Sequence, residues 1–107
     1  MVAQIAPADA VRLLAAHPDA VLLDVREAWE VQLAPLKQPF VHAPLRSVPA
    51  RLHELDRHAP ILCLCHHGGR SMQAAYFLAH QGFDNVYNVA GGIDAWSQTV
   101  DAAVPRY

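Results

Sequence analysis

Cysteine is scarce in this chain of 107 residues: Cys63 and Cys65 are the only two. Two residues apart on one strand, they point the same way and are badly placed to bridge, which excludes a disulfide framework. A reducing compartment, the cytoplasm, is the expected home. Charge is sparse as well, at 17% Asp, Glu, Lys and Arg with a net charge of −2. The Lys and Arg residues are scattered, so there is no basic footprint and no nucleic-acid partner is expected. No apolar run approaches the length of a membrane span, and the N-terminus lacks a charged leader followed by an unbroken apolar stretch. Neither a membrane partner nor an export signal is expected. Histidine is not rare, but His17, His42, His53, His58 and His80 show no ligand spacing, so no metal or other cofactor is expected. What remains is a 53% hydrophobic chain, enough for one globular domain over 1–107 with a real core.

That domain is organised around Ile61-Leu62-Cys63-Leu64-Cys65, the loop His66-His67-Gly68-Gly69-Arg70-Ser71, and the apolar-rich run to His80. The pattern predicts a buried strand, a tight turn and a helix. It places a thiol at the carboxyl end of a strand, the edge of an open α/β sheet where ligands bind. Gly68 and Gly69 permit positive φ, so successive N–H groups can share one concavity. The first turn of the helix adds unpaired N–H groups, and Arg70 adds a permanent charge. All three favour an anion. The first anion served is the Cys65 thiolate itself, because a helix N-terminus and a nearby cation favour the ionised, nucleophilic form of a cysteine. Cys63 reads as a small buried residue.

The rest of the chain alternates strands and helices. Val2–Ile5 is a short edge strand. Pro7 opens a helix that stops before His17-Pro18-Asp19. Ala20–Val25 is a second buried strand, ending in Asp24-Val25-Arg26-Glu27. Those charges are either solvated at the strand end, or Asp24 or Arg26 supports the site at the edge shared with Cys65. Ala28–Leu33 reads as a short helix in which Trp29 serves packing and not function. Four prolines between 34 and 49 argue against regular helix there. Phe40-Val41-His42 reads as a short strand. Ser47 then caps a helix to about Leu55, with Leu52 and Leu55 buried. Gly82 fits the end of the central helix. Asn85–Val89 is a further strand, followed by a second glycine-rich turn and a last helix ending near Val100. The alternation predicts an α/β fold with a mainly parallel sheet covered on both faces.

Three stretches together resemble the single-domain rhodanese family: Leu22-Leu-Asp-Val-Arg-Glu27, Cys65-His-His-Gly-Gly-Arg-Ser71 and Asn88-Val-Ala-Gly-Gly-Ile-Asp-Ala-Trp96. The resemblance implies a rhodanese-like, five-stranded mainly parallel sheet with flanking helices. It also implies a thiosulfate sulfurtransferase. Cys65 would take the outer sulfur from thiosulfate or a persulfide donor, and the persulfide would pass it to cyanide, a thiol or a protein acceptor. His66, His67, Gly68, Gly69, Arg70 and Ser71 would hold the substrate anion, largely through backbone N–H groups. The stretch from Leu33 to Ala43 departs from the family by lacking its glycines, which bears on acceptor identity more than on chemistry.

Each residue also has a plainer reading. Arg70 could be a salt bridge at the helix start, to Glu27 or Asp94. Ser71 could be a helix cap. His66 and His67, as neighbours in a tight loop, should point apart and not share a metal. Asp94-Ala95-Trp96 reads as packing and capping. Rival functions are a protein-fed sulfur carrier, a non-catalytic interaction module, and a phosphatase or arsenate reductase. The last generally has a longer loop between cysteine and arginine than His66 to Gly69 provides.

Overall fold

The computed structural model describes residues 2–107. Five parallel strands, β1 (Val2–Ile5), β2 (Val21–Asp24), β3 (Val41–His42), β4 (Ile61–Leu64) and β5 (Val86–Val89), form one sheet in the order β1-β5-β4-β2-β3. Helices α1 (Pro7–Ala16), α2 (Ala28–Leu33), α3 (Gly69–His80) and α4 (Gly92–Thr99) are interleaved with them, and a 3₁₀ run over Leu45–Glu54 separates β3 from β4. This is the five-stranded parallel α/β architecture expected, with β1 at an edge.

The central strand β4 is apolar and buried at every position because both sheet faces are covered. Its residues alternate between two cores, as a period of two requires. Leu62 and Leu64 join Ala10, Leu22, Ile93 and Trp96 beneath α1 and α4. Ile61 and Cys63 join Leu23, Ala74, Ala75, Leu78 and Phe83 beneath α3. Gly82, at φ 91°, lets α3 close: its N–H bonds the Ala79 carbonyl at 3.2 Å, and Phe83 N–H bonds that of Leu78 at 3.1 Å. Phe83 thereby turns into the core.

Two local expectations fail. Ser47 does not cap a helix: the 3₁₀ run starts at Leu45, and the Ser47 hydroxyl donates to the Pro44 carbonyl at 2.8 Å. Pro49 lacks the N–H that an α-helical turn would use, so the segment winds more tightly. Val48 is its buried residue, while Leu52 and Leu55 are half-buried. Trp29 packs at the surface, 61% exposed and touching Tyr107 edge-on at 6.1 Å. In the six-residue α2 the buried position belongs to Glu30. Since all strands run the same way, Asp24, His42, Leu64 and Val89 end at one rim, and the site is built there.

Candidate active site

Cys65 leaves β4 and α3 begins four residues later. Gly68 is the residue before the helix, at φ 111°, a conformation that disfavours any side chain. This turn aims the Gly68 N–H at Cys65 Sγ, 3.1 Å away. Gly69 is different: it is helical, has no positive φ, and leaves open space where a Cβ would stand. The conformational freedom anticipated for both glycines is therefore needed at Gly68 only.

The second glycine-rich turn explains why an N–H group rather than a carbonyl faces the sulfur. The Cys65 carbonyl accepts from Ile93 N–H at 2.8 Å and the His66 carbonyl from Asp94 N–H at 3.1 Å. Free amides in the first turn of α4 thus hold both carbonyls turned away. The approach is so close that a Cβ on Gly92 would lie 2.4 Å from the His66 oxygen.

Ser71 is fully buried inside α3 and is not its cap. Its Oγ stands 3.2 Å from Cys65 Sγ and 2.5 Å from Asn88 Oδ1. Cys65 itself is 1% exposed, so the sulfur lies almost covered rather than open at the rim. Cys63 sits deeper, and burial pushes its thiol up to about 12, leaving it un-ionised.

The charges form a connected chain behind the loop. Arg70 makes a two-pronged ion pair with Glu30, at 2.7 and 2.8 Å. Neither Glu27 nor Asp94 is its partner; Asp94 pairs with Arg106 instead. Glu30 also accepts from Glu27 N–H at 2.8 Å and from the Tyr107 hydroxyl at 3.0 Å. The Arg70 hydrogen bonds, against the opposing effect of burial, hold the Glu30 carboxyl down at about 2. Burial pushes the Tyr107 hydroxyl above its ordinary value.

Asp24 and Arg26 are both 0% exposed, which corrects the reading of them as solvated charges. A charge without water must be paired. Arg26 grips Asp24 through Nε at 3.0 Å and its terminal nitrogen at 2.8 Å, and donates to the Tyr107 hydroxyl at 3.2 Å. Both therefore reach the thiol loop indirectly, through Tyr107, which stacks on His66, and through Glu30, which holds Arg70. His42 adds a contact of 2.7 Å from Nε2 to the Arg26 carbonyl.

His66 and His67 do not point apart. Their rings stack at 3.9 Å, and the other face of His66 stacks on Tyr107 at 3.9 Å. The Tyr107 ring supplies a flat surface that a local reading of the loop could not anticipate. Among the described residues no cluster of three or more His, Cys, Asp or Glu side chains could hold a metal ion. Sequence reasoning missed Glu30, Tyr107 and the contacts of Asn88. Only Glu30 left a signal, since Glu27 and Glu30 have the spacing of a helix-start capping box.

A family model described as the rhodanese-like domain matches residues 7–99. The chain belongs to the rhodanese-like family. Thiosulfate sulfurtransferase GlpE of Vibrio cholerae is 34% identical over 88 residues, which cover 82% of each protein. The rhodanese-like/PpiC domain-containing protein 12, chloroplastic, of Arabidopsis thaliana is 43% identical over 93 residues. That match covers 83% of this rhodanese-like chain but only 31% of the plant protein. Among solved structures, a rhodanese-related protein from Thermoplasma volcanium superimposes with a TM-score of 0.79 at 28% identity, covering 92% of this chain and 93% of the other.

Proposed function

We propose that this chain is a sulfurtransferase that carries sulfane sulfur as a persulfide on Cys65, in a double-displacement sequence. One observation carries the reading: a main-chain N–H, from Gly68, donates to Cys65 Sγ at the junction of a central strand and a helix N-terminus. In the first half-reaction the Cys65 thiolate attacks the outer sulfur of thiosulfate. A new S–S bond forms, and the old one breaks as sulfite leaves with its electron pair. In the second, cyanide or a thiolate attacks that outer sulfur, and Sγ leaves with the electron pair as thiolate. The task of the protein is to position sulfur and to stabilise negative charge. The amides from His66 to Arg70 serve the donor anion and the persulfide. Arg70 contributes charge more than its fork, which Glu30 occupies. The sequence should give ping-pong kinetics. The two free cysteines suit the cytoplasm, and the chemistry needs no metal or cofactor.

The burial of Cys65 favours a second reading, a carrier fed by a dedicated protein donor whose docking opens the loop. Incubation with thiosulfate, followed by mass spectrometry for one added sulfur atom on Cys65, tests the first. Turnover of thiosulfate and cyanide should exceed that of a chromogenic phosphate ester; the reverse would overturn the proposal. A persulfide present on the isolated protein with negligible thiosulfate turnover would favour the carrier.

A further inference from the structure

The late motif beginning at Asn88 has a buried polar residue that the reading above does not use. Asn88 is 2% exposed on β5. Its Nδ2 donates to Gln4 Oε1 at 3.2 Å and to the Gly68 carbonyl at 3.3 Å. The Gly68 carbonyl can only accept, which fixes the orientation of the Asn88 amide. Oδ1 must face Ser71, and it does so at 2.5 Å. The Ser71 hydroxyl has one hydrogen and two neighbours that can take it, Asn88 Oδ1 and Cys65 Sγ.

We infer that Ser71 is a catalytic hydroxyl that stabilises Cys65 Sγ as a leaving group when the persulfide is discharged, and that Asn88 is the positioning residue that holds it ready. The inference rests on the sulfurtransferase reading and deepens it. In the persulfide, Sγ is a neutral divalent sulfur and a weak acceptor, so the Ser71 hydrogen stays on Asn88. As the acceptor attacks the outer sulfur, the Sγ–S bond breaks and its electron pair passes to Sγ. The hydroxyl then turns to the growing thiolate, because a hydrogen bond to an ion is stronger than one to an amide. Its proton is not transferred, and the product is the hydrogen-bonded Cys65 thiolate.

The two half-reactions respond differently to this hydrogen bond. A donor on Sγ lowers its basicity, and a less basic sulfur leaves faster but attacks more weakly. The hydrogen bond therefore favours discharge, in which Sγ leaves, and not uptake, in which Sγ attacks. A purely structural role would disturb both halves together.

The experiment measures each half separately in single turnover. Protein is loaded with thiosulfate or inorganic polysulfide while uptake is followed, then discharged with cyanide. Ser71→Ala should slow discharge about tenfold, equivalent to about 1.4 kcal/mol, and leave uptake within about twofold. Asn88→Ala should slow discharge in the same direction. The double variant should be no slower than Ser71→Ala alone, since Asn88 acts through the hydroxyl. If Ser71→Ala unfolds, the double variant, which leaves no unpaired buried group, must show the same split. Equal slowing of both halves, or discharge at the wild-type rate, overturns the inference while sulfur transfer stands. A wild-type protein that takes up no sulfur from either donor overturns the underlying reading and this one with it.

Discussion

Glu30→Gln is the sharpest probe of the charge chain behind the thiol loop. Glutamine keeps the size of the side chain and removes the charge that Arg70, Tyr107 and the Glu27 amide all address. The Glu30 carboxyl stands at about 2 against an ordinary 4.5. That gap corresponds to roughly 3 kcal/mol of stability at neutral pH. The Arg70 side chain is 36% exposed and can regain water once released, which reduces the expected loss to about 2 kcal/mol. For a domain of this size that is a fall in melting temperature of about 10 °C. The folded value lies below the unfolded one, so the stabilisation is fully present above about 4.5 and is lost as pH falls toward about 2. Urea melts of wild type and variant should therefore differ most at neutral pH, with the gap shrinking to less than half by about pH 3. A variant as stable as wild type at neutral pH, or a gap that stays constant on acidification, would refute the reasoning.

Cys65→Ser should abolish sulfur transfer and leave a cooperative melt, since the replacement is nearly isosteric; loss of that melt would make Cys65 structural. Arg70→Ala should lower kcat/KM for thiosulfate about tenfold by removing the cation beside the loop. An unchanged thiosulfate response would take Arg70 out of the site. Gly92→Ala should cost at least about 2 kcal/mol and impair transfer, because its Cβ would meet the Cys65 and His66 carbonyls at a φ of 61°. Gly69→Ala, with open space and no positive φ, should instead stabilise by about 0.4–1 kcal/mol. Thermal melts of the two variants separate these outcomes.

The strand–loop–helix unit at Cys65 was legible because its determinants are local. A continuous apolar run gives the central strand, Gly68 turns the chain, and the period of the following helix sets the buried face. The same holds for Pro7 at the start of α1 and Gly82 at the end of α3, where one residue controls one backbone bend. Legibility failed wherever a residue takes its character from a distant partner. Asp24 and Arg26 look like surface charges until Tyr107 and the Ala34 carbonyl close over the guanidinium. Arg70 sits five residues from Cys65, yet its fork is claimed by Glu30, forty positions away in sequence. His66 stacks on its neighbour His67 and on Tyr107, which comes from the far end of the chain.

By itself, the sequence determined the order of elements, the parallel sheet and the position of a thiol at its rim. Each follows from short-range periodicity and turn chemistry. Tertiary structure alone decided how that thiol is dressed: which amide meets it, which helix turns its carbonyls aside, how deeply it lies, and how Asn88 reaches it through Ser71. Those choices depend on hydrogen bonds between segments far apart in the chain, and a linear pattern carries no distance between them.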